Sequence, residues 1–474
     1  MHSTDKSLSV DRTGARTPAR GISRYAWFSL LFLWLIYALN ANSRQMIFYV
    51  LPSITDEFNT SPTELGMITG AVTAATALIA IPTMLWVDRG GRGWKRKYRH
   101  LPIVIGYALF TFLTGFDMLT ITLGGLLVLQ LISHAIAGAG ESVEVTSAAE
   151  WWPRERRGFA LGIHHTGFPW GTLIGGIVVA ALLGAYGASN WRLPFLLFPI
   201  PVVVVFAGYW WFATKQRYAA LVDHLDAAGE TKPVDTDQIE HTTATTGALM
   251  QCLRNPNISV VAGIGLFATI GYIGLSFWLP QYLAFVAQYD FAKAAAFSVV
   301  FTITGGLGMI GWGWISDRLG RKLSLIIVFL WLAVGFFLFQ NASLSVGWLI
   351  GVQLFTGLAI NAPYTLVYAI AIDSAKPSTT GVASSIVNVG LALGGGGGPL
   401  LVGVLIGLGG GFTNVGGYTA ALYVLTALMV LAAILTALFT RETTGWFQRR
   451  DRALVVARSC VPAGEEAETI PTHR

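Results

Sequence analysis

Charge is what this sequence has least of. Only 12% of its 474 residues are Asp, Glu, Lys or Arg, about half the ~25% usual in soluble globular chains. So few charges cannot cover a water-facing surface of this size, which excludes a soluble enzyme and a disordered chain. Cysteine is nearly absent too. Cys252 and Cys460 stand alone in polar segments, giving neither a disulfide framework nor a metal-ligand spacing. The first 24 residues are polar and basic, with no apolar core or small-residue cleavage site, and so read as a tail rather than a signal peptide.

What is abundant is hydrophobic sequence, 54% of the chain, and it falls in blocks of about 20 residues, the length that crosses a hydrocarbon core of ~30 Å. Blocks lie near 25–50, 64–87, 101–118, 120–150, 157–185 and 191–213, then near 257–286, 293–316, 322–342, 346–372, 379–408 and 417–440. The sequence therefore predicts an all-α polytopic membrane protein in a lipid bilayer, with twelve spans in two sets of six. The expected organisation is a tail over 1–24, a first bundle over 25–213, a linker over 214–256, a second bundle over 257–440 and a tail over 441–474. The linker, mixed in charge, reads as a solvated and partly helical tether.

Net charge is +6, but the basic residues sit in short loops and tails, which is a topology signal and not a nucleic-acid footprint. Arg89, Arg92, Lys95, Arg96, Lys97 and Arg99 crowd the 2–3 loop, Arg154, Arg156 and Arg157 the 4–5 loop, and Arg318, Arg321 and Lys322 the 8–9 loop. Arg192 and Lys293 are exceptions on the other side. Both termini and the linker are expected in the cytoplasm and the chain in the plasma membrane.

Two of these loops repeat one motif. The second copy runs Gly313-Trp314-Ile315-Ser316-Asp317-Arg318-Leu319-Gly320-Arg321-Lys322, and the first Val87-Asp88-Arg89-Gly90-Gly91-Arg92. They stand half a chain apart, as a duplicated six-helix unit places them. In the first copy Met84 replaces the opening glycine. The Asp-Arg-x-Gly-Arg-Lys stretch resembles the signature loop of the major facilitator superfamily. That resemblance implies two six-helix bundles around a central cavity, rocking to alternate access, with Asp88, Arg89, Gly91, Arg92, Gly313, Asp317, Arg318, Gly320 and Arg321 in gating loops. It also implies that the glycines near Pro169 and the run Gly394 to Gly398 serve helix packing and gating.

A charge at mid-bilayer costs at least ~2.5–3.5 kcal/mol, so each one is a functional candidate. The first span holds Asn42, Ser43 and Arg44 before Pro52. It resembles the first helix of the anion:cation symporter family, where an Asp-Arg pair precedes Pro-x-Ile; Ser43 here replaces the aspartate. Arginine suits a carboxylate through its bidentate fork, so Arg44 is either a substrate ligand or a structural partner of Glu141 or Glu144.

The fourth span carries Gln130, His134, Glu141 and Glu144 on one face. The family's Arg-then-Glu spacing fits His134 with Glu141, or Gln130 with Ala137, one helical turn apart. Glu141, Glu144 and His134 are the proton-coupling candidates, while Glu150 is expected to pair with the 4–5 loop arginines. In the fifth span His165 occupies a polar lining position of the related carriers, and either titrates or only donates a hydrogen bond.

The second half supplies Tyr272, Trp278, Gln281, Asn361, Tyr364, Tyr368 and Asn388; Phe277-Trp278-Leu279-Pro280 resembles the seventh helix of the same family. Asp373 reads as a loop residue. The function expected is proton-coupled symport of a small organic anion, a carboxylate, by a monomer without cofactor or metal. A proton-driven exporter of amphipathic compounds and an uncoupled anion exchanger remain alternatives. No nucleophile, metal or cofactor constellation suggests an enzyme.

Overall fold

A computed structural model describes residues 22–59, 71–231, 247–288, 297, 300–411 and 413–445. Among them there is no strand, and ten helices are long and apolar enough to cross a membrane. Lys97–Leu113, one turn of basic residues followed by apolar sequence, and Val300–Leu319 complete a set of twelve. The first half runs Arg24–Tyr49, Ala71–Asp88, Lys97–Leu113, Leu123–Glu150, the pair Arg157–His165 and Gly167–Tyr186, and Pro199–Phe212. The second runs Pro256–Gln281, Val300–Leu319, Arg321–Leu338, the pair Val346–Ile360 and Ala362–Ser374, Thr380–Leu408 and Val415–Phe439. These are the first to twelfth spans below.

A helix satisfies its own backbone polar groups within the segment, as hydrocarbon demands. The outside of the bundle is as apolar as its interior. Leu173, Ile177, Val203, Val204, Ile303, Val334 and Leu438 are all exposed, the pattern of a lipid-facing surface. The fifth and tenth spans each break just before a proline, at Thr166 ahead of Pro169 and at Asn361 ahead of Pro363. Proline cannot donate to the preceding turn, so a break there is the low-cost solution.

The beginning of the linker is docked rather than solvated. Lys215–Ala228 forms a helix whose Tyr218, Leu221, Val222 and Leu225 are buried, a one-sided stripe at helical spacing. The Tyr218 hydroxyl donates to the carbonyl of Glu150 at 3.0 Å. Residues 232–246 of the linker and 446–474 of the second tail lie outside the described set.

The halves meet most tightly at the end carrying the basic loops, called the basic end below. There the second span crosses the eleventh and the fifth crosses the eighth. Glycine permits both crossings. A Cβ on Gly158 would sit 2.6 Å from Asp317 Oδ1 and 2.7 Å from the Gly313 carbonyl. At the other crossing Met84 replaces the motif glycine, and the missing space reappears across the seam, where a Cβ on Gly381 would collide with the Met84 terminal methyl.

Gly158→Val should therefore wedge the fifth and eighth spans apart. A distance between spin labels at their basic ends should lengthen, whereas Gly396→Ala, with nothing within 4 Å of its Cβ, should leave it unchanged.

Candidate functional site

Two polar assemblies lie on the seam, one at the basic end and one deeper. At the basic end each motif aspartate closes its span and reaches a helix N-terminus of the other half, where unpaired N–H groups and the helix dipole favour an anion. Asp317 accepts from the Gly158 N–H at 2.9 Å and the Phe159 N–H at 2.8 Å, in the first turn of the fifth span. Asp88 accepts from the Val382 N–H at 3.1 Å, in the first turn of the eleventh.

Each aspartate is backed by a buried arginine that also holds a second carboxylate. Arg321 lies 3.2 Å from Asp317 and 2.6 Å from Asp373. Arg96 bonds Asp88 at 3.0 Å and Glu150 at 2.8 Å. Arg157, from the first half, also pairs with Asp373. Asp373 lies in the last turn of the tenth span and not in a loop, and its side chain is fully buried where three arginines converge on it. Glu150 pairs with Arg96 of the 2–3 loop, not with the 4–5 loop arginines.

The motif residues divide by position. Gly91 and Gly320 turn the chain at φ +106° and +121°, conformations open to glycine. Arg89 is exposed, and Arg318 lies over the Trp314 ring with 3.6 Å to its centroid. Arg92 is buried without a hydrogen-bond partner for its Nε, and burial lowers its pKa. Burial opposes the charge of Arg96 also, but Glu150 and Asp88 reverse that and hold its pKa above the ordinary arginine value.

Glu442, just past the last span, accepts from the Arg321 N–H at 2.7 Å and so caps the ninth span. The neighbouring Thr443 carbonyl accepts from Arg154 of the first half at 2.8 Å.

The deeper assembly centres on an ion pair. Arg44 Nη2 lies 2.9 Å from Glu141 Oε2. The other Glu141 oxygen accepts from the Tyr37 hydroxyl at 3.4 Å and from the Tyr368 hydroxyl, of the second half, at 3.3 Å. Asn388 reaches back across the seam to the Gly138 carbonyl at 2.7 Å. His165 packs on Tyr368 at 5.2 Å between centroids and holds the Leu161 carbonyl through Nδ1.

His134 lies 2.9 Å from two carbonyls, those of Gln130 and Arg44. A neutral imidazole has one N–H and can serve only one of them. Glu144 is met by Asn40 at 3.1 Å and by His100 at 3.4 Å. The geometry turns Glu141 toward the first span, while Gln130 donates to Thr114 and Ala137 offers only its carbonyl, to Asn40.

Other expected residues stand apart from this pair. Asn42 donates to the Ala38 and Gly171 carbonyls, tying the first span to the fifth. The Trp278 indole donates to the Pro399 carbonyl at 2.8 Å. Tyr272 meets Tyr364 edge-to-face at 6.2 Å, Gln281 has a buried oxygen without a hydrogen bond, and Asn361 is buried at the break of the tenth span.

Residues 33–317 and 292–462 match the family description Major Facilitator Superfamily. The chain belongs to that superfamily. As a superfamily member it is a multi-pass membrane transporter, not an enzyme.

Its relatives include a cis,cis-muconate transport protein of Acinetobacter baylyi, 26% identical over 64% of this chain and 69% of that protein. A gallate transporter of Pseudomonas putida is 24% identical over 63% and 67%. The glucose-6-phosphate exchanger SLC37A2 of Danio rerio is 25% identical over 67% and 68%. In fold the chain matches the E. coli fucose:proton symporter with a TM-score of 0.64, at 16% identity, over 88% of this chain and all of that one.

Arg96, Tyr37, His100 and Glu442 are not singled out by the sequence. Only Arg96 left a signal there, as one of six basic residues in the 2–3 loop.

Removing Arg96 strands two buried carboxylates, a loss of about 3–5 kcal/mol for a broken buried pair. Arg96→Ala should lower the thermal unfolding temperature of the purified transporter sharply, and Arg89→Ala should not.

Proposed function

We propose that this transporter couples the inward movement of one small carboxylate to that of one proton. The observation that carries this reading is the buried Arg44–Glu141 pair, touched by Tyr37 from one half and Tyr368 from the other. Arg44 is a monovalent anion site already filled by the protein's own carboxylate. An incoming carboxylate that takes Arg44 leaves Glu141 buried without a cation, and burial then favours its protonated form. Anion and proton therefore load together. When the proton leaves, Glu141 reclaims Arg44 and expels the anion.

His165, Tyr364 and Tyr272 line the substrate's path, while Asn42 and Trp278, bonded to backbone carbonyls, serve packing. The basic loops face the cytoplasm, in accord with the positive-inside rule, and the protein acts in the plasma membrane as a monomer. The aspartate–helix contacts at the basic end are the cytoplasmic gate, closed in this conformation. The muconate and gallate transporters among the relatives support a carboxylate as cargo.

Liposomes enclosing a pH-sensitive dye test the coupling. Gallate, cis,cis-muconate or a hexuronate added outside should acidify the lumen. Counterflow without acidification would instead establish the exchange suggested by the sugar-phosphate relative. Arg44→Ala should reduce transport about 100-fold or more, as expected for a lost buried charge-assisted contact. Glu141→Gln should make uptake independent of the imposed pH gradient.

A further inference from the structure

Three buried groups near the gate have no part in the mechanism so far. His100 of the third span and Glu144 of the fourth are both 0% exposed, with His100 Nε2 3.4 Å from Glu144 Oε1. Asn40 of the first span holds the same Glu144 oxygen at 3.1 Å. Gly140 makes the room, since a Cβ there would lie 2.8 Å from Asn40 Nδ2. Glu144 Oε2, both His100 ring nitrogens, Asn40 Oδ1 and the Tyr107 hydroxyl are all buried without a hydrogen-bond partner. Leaving such atoms unpaired costs about 1–3 kcal/mol each, which a merely structural contact does not explain.

The charged groups facing this cluster are Arg44 and Glu141 on its outer side, and Arg96 with Asp88 and Glu150 toward the cytoplasm. Tyr107 and Tyr37 flank it, and the sixth span presents the Phe206 ring, 5.4 Å from His100. Arg44 is engaged by Glu141, and His100 is the basic side chain within contact of Glu144.

Depth orders the groups. At 1.5 Å per residue along the fourth span, Glu141 lies about 14 Å and Glu144 about 9 Å from Glu150 at the basic end. His100 is one turn from Arg96 on the third span.

We infer that His100 and Glu144 form a second proton site, the station through which the proton carried on Glu141 leaves for the cytoplasm. The inference rests on the symport reading above. In the closed state the pair is Glu144 carboxylate with imidazolium. Opening of the Asp88–Val382 contact of the gate admits water, and His100 gives its proton to it. The Glu144 carboxylate, now without a cation, takes the proton from Glu141 across one helical turn and passes it to His100 Nε2. Glu141 re-pairs with Arg44 and the anion departs. One proton enters at Glu141 and one leaves at His100.

The test compares two fluxes of gallate, cis,cis-muconate and a hexuronate in liposomes holding the full chain. Counterflow at equal pH needs only binding and rocking, whereas net uptake down a proton gradient also needs proton release. His100→Asn should reduce net uptake and lumen acidification about 10-fold or more while counterflow persists. His100→Gln, which retains an amide near the Nε2 position, provides the second variant.

Equal net uptake in wild type and both variants would overturn the inference and leave the symport reading standing. Loss of counterflow in step with net uptake in both variants would make His100 structural and overturn it also. A wild type that shows counterflow but no acidification would remove the symport reading itself, and with it the need for an exit.

Discussion

A carboxylate buried away from water must find a cation or a set of N–H donors, or else take up a proton. Along the seam of this bundle that rule sets the architecture. Asp88, Asp317, Glu150, Asp373, Glu141 and Glu144 are all buried, and each is answered by an arginine, a histidine or a helix N-terminus. For Asp88, Asp317 and Asp373 part of the answer comes from the opposite half. The halves are held together not chiefly by apolar burial, which lipid would supply equally well, but by charges that have nowhere else to go. Movement of the halves is then movement of charge partners.

The internal repeat shows how loosely sequence symmetry needs to be kept for this rule to hold. Arg321 stands four residues after its aspartate and Arg96 eight after its own, yet both bridge a motif aspartate to a carboxylate at the same end of another span of the same half. The short helical turn Gly93–Arg96 carries the arginine back to where Arg92 does not reach. The glycine of the crossing is likewise free to change sides, on the motif span at Gly313 and on the opposing span at Gly381. What persists is the space and the charge, not the position.

That is also why the sequence was legible in part. Span number and class follow from hydropathy alone, because hydrocarbon thickness imposes a length on every helix. Arg44 and Glu141 stood out because charges are rare in such segments, and the structure pairs the two. Partner choice was not legible. Asp373 is 52 residues from Arg321 and 216 from Arg157, and no local pattern encodes either distance. Trp278 carries a recognisable motif, but the motif does not say that its N–H turns to Pro399 within its own half. His100 was hidden in a run of basic loop residues, where its charge type looked like topology.

The same physics bounds how firmly the gate can close. A buried ion pair gains little net stability over an apolar contact of equal volume, because desolvating the charges offsets most of their attraction. A carboxylate capping a helix N-terminus adds about 0.5–2 kcal/mol. Two such caps therefore bias the closed state by only a few kcal/mol. Moving a two-state equilibrium from one side to the other takes about 5.5 kcal/mol, which in the proposed cycle one anion and one proton binding together at Arg44 and Glu141 would supply. A seam of interlocked leucines would close more firmly, but it would have no differential interaction with the cargo by which to open. Charges at the seam would make the proposed gate weak enough, and chemically specific enough, for the proposed site about two helical turns deeper to work it.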